Sequence, residues 1–168
     1  MKARAALALG LMLAGTNAAQ ASNCQSAIIE AARRHGVPEA VALTVGKVES
    51  GHHALAMNIA GRPAWAYSTE DAVIAIRKLR AAGISSVDVG CMQINLKHHP
   101  DAFARLEQAF DPAANAEYGV QFLKRLHAGK RSWGAAIAAY HSADPERQSV
   151  YLTTVRQTLL KSLPAQAR

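Results

Sequence analysis

Apolar residues recur at helical spacing along most of the chain, and glycine and proline punctuate the runs. Residues 24–35 predict a helix with Ala27, Ile28, Ala31 and Ala32 on one side. Gly36 ends it, and Pro38 suits the first turn of the next. That second helix spans 39–50, with Val41, Val45 and Val48 in one stripe and Gly51 as its stop. Residues 52–67 lose the period. Gly61 and Pro63 break two short apolar pieces there, which allows a small hairpin. Ser68 and Asp71 have capping spacing ahead of a helix over 69–82, stopped by Gly83. Residues 84–88 read as a short strand, and 90–96 as a compact apolar stretch holding Gln93 and Asn95. Helices follow over 100–108, over 112–127 with Asp111 as N-cap and Gly129 as stop, over 133–141 with Ser132 as N-cap, and over 145–160. There is no internal repeat and no linker. The pattern predicts one helix-rich domain with a small irregular or β-containing lobe in its middle.

Residues 1–21 differ from the rest. Lys2 and Arg4 make a basic start, residues 5–15 an apolar run, and Ala19-Gln20-Ala21 a small-x-small site before Ser22. These are the three parts of a secretory signal peptide; the alternative is an ordinary N-terminal helix. The run is short for a membrane anchor, and no later segment approaches the ~20 apolar residues of a bilayer span. The expectation is therefore export with cleavage after Ala21, no stable membrane anchor, a folded domain over 22–163 and a polar tail over 164–168. Of 168 residues, half are hydrophobic and 18% charged, which excludes a disordered chain. The formal charge of +7 falls to +5 once Lys2 and Arg4 are removed. A basic balance points to an anionic partner without choosing among nucleic acid, membrane surface and cell wall. Two cysteines are too few for a disulfide scaffold or a cysteine-rich zinc module. In an exported chain, however, Cys24 and Cys91 are candidates for a disulfide. Two buried free thiols are the alternative.

Glu49 stands at the end of a face made of Gly46, Val45 and Ala42. A carboxyl beside small apolar residues is partly desolvated, which disfavours its charged form and leaves room for a ligand. A carboxyl that keeps its proton is what a glycosidase uses on a leaving oxygen. The plainer reading is a last-turn glutamate facing water. The motifs that follow bear on that choice: Glu49-Ser50-Gly51, then Gly90-Cys91-Met92-Gln93-Ile94-Asn95, then Asn115, Gly119, Phe122 and Leu123, then Ala139-Tyr140-His141-Ser142. In this order the chain, from about 24 to 155, resembles the lytic transglycosylases (soluble lytic transglycosylase and goose-type lysozyme-like domains). It looks closest to the small periplasmic members that accompany secretion or flagellar machines.

The resemblance implies an α+β, predominantly α-helical, lysozyme-like single domain with a small irregular or β lobe. It implies a peptidoglycan-cleaving enzyme that forms 1,6-anhydro ends without metal or cofactor, and glycan strands as partner. A secretion, pilus or flagellar assembly is the further partner class it points to, and the periplasm the compartment. Glu49 matches the catalytic acid/base and Ser50 the residue that orients a carboxyl or sugar group. Met92 and Gln93 match the groove-lining pair, with Gln93 a contact to the N-acetyl sugar. Tyr140 matches the tyrosine whose hydroxyl bonds the carboxyl or substrate, and Asn58 matches an asparagine after the catalytic helix. For all of these, packing or turn-making is the bland alternative. Cys91 stands where the family has an apolar residue, so a bridge to Cys24 would pin the first helix beneath the groove. His141 replaces the common Asn, and Ser142-Ala143 replaces Ala-Gly. Trp65 and Tyr67 are candidates for the groove rim.

Asp88 is the one nearby candidate for a second carboxylate; the expectation is that it shapes the turn into Gly90 by bonding backbone N–H groups. Glu70 and Asp71 read as first-turn helix acids. His52-His53 and His98-His99 are adjacent pairs that share no helical face, and no His-Glu-x-x-His spacing occurs, so no metal site is expected. Scattered basic pairs such as Arg33-Arg34 and Lys130-Arg131, together with export, argue against nucleic acid. Two other readings stay open: a non-catalytic wall-binding or assembly protein on the same fold, and a lysozyme-type hydrolase.

Overall fold

The computed structural model describes residues 15–162. Most of the expected signal peptide and the expected polar tail lie outside them. The first helix, α1 (Gly15–His35), begins upstream of the predicted residue 24 and crosses the expected cleavage point. Its C-terminal turn holds Arg33, Arg34 and His35, which complement the helix dipole. α2 (Glu39–Ser50) has the predicted bounds. Gly51 closes it in the left-handed conformation (φ 64°), donating its N–H back to the last turn.

The middle of the chain builds the small lobe. β1 (Ala56–Ile59) and β2 (Arg62–Trp65) form the hairpin that Gly61 and Pro63 suggest. After α3 (Thr69–Ala81), capped by the Ser68 hydroxyl on the Asp71 N–H, come β3 (Val87–Val89) and β4 (Ile94–Asn95). The antiparallel sheet runs β2-β1-β3-β4, with Asn58 opposite Asp88 and Asp88 opposite Asn95. Leu55, Met57, Ile76, Val87, Val89 and Phe110 form its core.

The helix predicted over 100–108 is absent. Residues there make turns, and only Leu106–Phe110 winds into a 3₁₀ helix. Phe103 packs against both the lobe core and the main helical core, which a single helical face would not allow. α4 (Pro112–Lys130), α5 (Trp133–His141) and α6 (Pro145–Ser162) complete the fold. Asp111 and Ser132 cap α4 and α5 as predicted. Gly129 does not stop α4; Arg131 does, at φ 54°.

α1 packs against α4 and α2, α4 against α5, and α6 against α2 and α5. Ile28, Val45, Met92, Val120 and Leu123 fill the main core. Cys24 and Cys91 form a disulfide, with Cα atoms 5.6 Å apart. It ties α1 to the turn between β3 and β4, beside the end of α2. His52, at φ 64°, is buried just past that end. Its Nε2–H donates to the Leu43 carbonyl, and its Nδ1 accepts from Gln25, so both nitrogens are occupied within the fold. Burial lowers its pKa.

Candidate active site

Four elements converge on Glu49. It sits in the last turn of α2 with 12% of its side chain exposed. Its Oε1 is buried and accepts no hydrogen bond. A buried polar atom without a protein partner is rare in a folded chain. From β3 comes Asp88, whose carboxyl is raised in pKa, first by burial and then by the charge of Glu49. From α5 come Tyr140 and His141. From α6 comes Tyr151, a buried phenol whose hydroxyl lies against the Glu49 carboxyl without a well-aligned hydrogen bond. Burial pushes both tyrosines upward, and the neighbouring Glu49 charge adds to that.

The small residues at Gly46 and Gly119 permit this approach. A Cβ at Gly46 would lie 2.5 Å from Ile28 Cδ1, and one at Gly119 would lie 2.6 Å from Met92 Cβ and 3.1 Å from the Tyr140 hydroxyl.

The turn joining β3 to β4 presents residues 90–93 to the site, and Asn115 of α4 holds it. Asn115 is fully buried. Its Oδ1 accepts from the Met92 N–H at 2.8 Å, and its Nδ2 donates to the carbonyls of Val89 and Ala109. Gly90 (φ 78°) lies so close that a Cβ there would meet Asn115 Nδ2 at 2.3 Å. Gln93 is held at φ 47°; a non-glycine residue in that region stores strain, which functional sites tolerate.

The matched residues fall around this turn, but several have partners other than those the resemblance implies. The Ser50 hydroxyl donates to the Cys91 carbonyl at 2.7 Å and accepts from the His53 N–H, so it links α2 to the turn. Gln93 Nε2 donates to the Ala56 and Gly90 carbonyls. Met92 is fully buried and lies behind the site's surface rather than on it. The Tyr140 hydroxyl donates to the Met92 carbonyl at 2.8 Å rather than to Glu49. Asn58 faces Asp88 across the strands, and its Oδ1 is buried without a partner. Asp88 is not a turn-maker: it lies within β3, and its Oδ1 accepts from Asn95 Nδ2 at 2.7 Å.

Trp65 and Tyr67 are 62% and 97% exposed, and with His53 and Ala66 they line a cavity of about 440 Å³. A second cavity of about 460 Å³ lies between α2 and α6, against Val48, His141, Arg147, Val150 and Tyr151. Among the described residues no group of three or more His, Cys, Asp or Glu side chains could hold a metal ion. Tyr151 escapes a reading of the chain because, with Val155 one turn on, it looks like one more core position of α6. The role of Asn115 is equally hidden, although its motif is visible.

A largely buried glutamate at a helix end, beside a small antiparallel lobe and a turn rich in polar contacts, fits a predominantly helical, lysozyme-like domain. The family model described as Transglycosylase SLT domain matches residues 26–150. The chain belongs to that family, the lytic transglycosylases that act on peptidoglycan. No curated protein and no solved structure gives a significant match.

Proposed function

We propose that the chain cleaves the β-1,4 bond between N-acetylmuramic acid and N-acetylglucosamine with Glu49 as its single acid/base, leaving 1,6-anhydro-muramyl ends. The observation that carries this reading is the buried, unpartnered Oε1 of Glu49 within the Asp88, Tyr140, His141 and Tyr151 cluster. Glu49 first gives its proton to the glycosidic oxygen as the C1–O bond breaks. The substrate's own N-acetyl carbonyl stabilises the cationic C1. Glu49, now a carboxylate, takes the proton of the muramyl C6 hydroxyl as that oxygen bonds to C1. Atoms balance without water, metal or cofactor.

The remaining residues support this step in proposed roles. Gln93 has its amide nitrogen bonded to backbone, which leaves its Oε1 to receive an N-acetyl N–H. Asn58 offers an unpartnered oxygen beside Asp88. Trp65 and Tyr67 offer aromatic faces to sugar rings. Met92, Ser50 and Tyr140 position the turn. With residues 1–21 removed, the domain would work in the periplasm, where local wall remodelling would serve a secretion, pilus or flagellar assembly.

Asp88 favours a second reading. Burial, with a contribution from the Glu49 charge, raises its pKa, and a lysozyme-type hydrolase uses a second carboxyl of this kind. One experiment separates the two. Purified peptidoglycan is digested and the muropeptides are weighed by mass spectrometry. Anhydro-muramyl ends are the expected product. Reducing ends would assign hydrolysis, and no release between about pH 4 and 8 would leave a non-catalytic wall-binding protein. Glu49→Gln is expected to abolish release with an unchanged melting temperature; retained activity removes Glu49 from its role.

A further inference from the structure

We infer that His141 is a positioning residue for Glu49: it holds the buried carboxyl oxygen, so that the other oxygen exchanges the proton with substrate. The inference rests on the reading of Glu49 as acid/base. His141 ends α5, and its Nδ1 stands 3.8 Å from Glu49 Oε1. No other side chain makes a well-aligned hydrogen bond to that oxygen, and the Tyr151 hydroxyl lies close enough to the Glu49 carboxyl for the contact to add to burial in raising the phenol's pKa. The imidazole lies flat on the Tyr151 ring, with centroids 4.3 Å apart and planes 2° from parallel. A ring held this way has little freedom about its last torsion, and the edge it turns toward Glu49 carries Nδ1. Tyr151 is itself anchored by burial in the main core.

An N–H···O bond has its heavy atoms about 2.7–3.2 Å apart, so the gap must close slightly for Nδ1–H to donate. Hydrogen bonds in free enzymes often tighten only once substrate is bound. When it closes, Oε1 is fixed and the carboxyl can no longer rotate freely. Oε2 is then presented in one orientation to the glycosidic oxygen and, afterwards, to the C6 hydroxyl. The common Asn of the family pattern can also donate an N–H from this position, but it cannot stack on Tyr151. The titratable and charged groups nearby are Asp88 from β3, the Tyr151 hydroxyl, and Glu146 and Arg147 from α6; none of these makes a well-aligned hydrogen bond to Oε1.

The test compares His141→Phe, which keeps a ring on Tyr151 and loses Nδ1, with His141→Asn, which loses the ring and keeps an N–H. On peptidoglycan, His141→Phe is expected to lower kcat about 10–100-fold, with KM within about twofold and an unchanged melting temperature. His141→Asn is expected to recover most of kcat. Wild-type kcat in His141→Phe would show that the ring only packs, and overturn the inference. A second readout does not depend on turnover. In protein labelled with ¹⁵N-histidine, the Nδ1 resonance of His141 is expected to move between wild type and Glu49→Ala. An unmoved resonance overturns the inference even if His141→Phe fails to fold. If wild-type protein yields no anhydro ends while the resonance moves, the reading of Glu49 fails and the contact stands.

Discussion

Asn115 bonds three backbone groups, two at the turn that carries Gln93 and one, the Ala109 carbonyl, in the 3₁₀ helix. Asn115→Ala would leave the Met92 N–H and the Val89 and Ala109 carbonyls buried without partners. Each such group costs about 1–3 kcal/mol, so a loss on the order of 3 kcal/mol is expected once partial relaxation is allowed. Chemical denaturation would measure it. An effect within about 0.5 kcal/mol, the range of an ordinary surface change, would show that the turn holds itself. The partial burial of Glu49 agrees with the small, apolar neighbours that precede it at helical spacing, but spacing alone equally allowed a last-turn glutamate facing water, and it was the order of the later motifs that singled the residue out. The partners of Ser50, Gln93 and Tyr140 were not legible in the chain. Each depends on which carbonyls the turn and the neighbouring strand point inward, and that is set by Gly90 within the turn and by Asn115 from the distant α4.

Among the elements, helix caps carried over best. Ser68, Asp111 and Ser132 each bond an N–H three residues on, a local geometry the chain dictates by itself. Residues 100–108 failed as a helix because Phe103 must reach two cores, which is tertiary information. A long-range contact of the same kind joins α1 to α4 through Glu117, which takes bonds from Arg34, His35 and Gln121. Burial pushes its carboxyl up, but these donors overcome that and hold it at about 2. A depressed folded-state pKa stabilises fully above the ordinary glutamate value of 4.5, and that stability is lost as pH falls through about 2. Wild type should therefore melt above Glu117→Gln near neutral pH, with the difference shrinking between about pH 4.5 and pH 2. The site is one-third exposed, so the gap is modest and salt-sensitive. A gap that stays constant down to about pH 2 would remove the carboxylate as its cause.

For the molecule as a whole, one covalent bond joins the first helix to the turn between β3 and β4. Cys24 and Cys91 are 67 residues apart. Closing a loop of that length restricts the unfolded chain by about 4 kcal/mol. In the folded state the bridge has a second consequence. The Cys91 carbonyl accepts from Ser50, the residue after Glu49, and Met92 next to it accepts from Tyr140. α1, the end of α2, the turn and α5 therefore meet through residues 91 and 92. Reduction should lower the melting temperature by about 10 °C, taking about 2–4 °C for each kcal/mol in a domain of this size. The paired variant Cys24→Ala with Cys91→Ala should melt at the same lowered temperature and no longer respond to reductant. Because the turn is also held by Asn115 and Ser50, release of muropeptides well below the new melting temperature should persist, and should fail at lower temperature than in the bridged protein. If wild type denatured without reductant reacts as two free thiols, or reductant leaves its melting unchanged, the bridge has no part in holding the turn between β3 and β4.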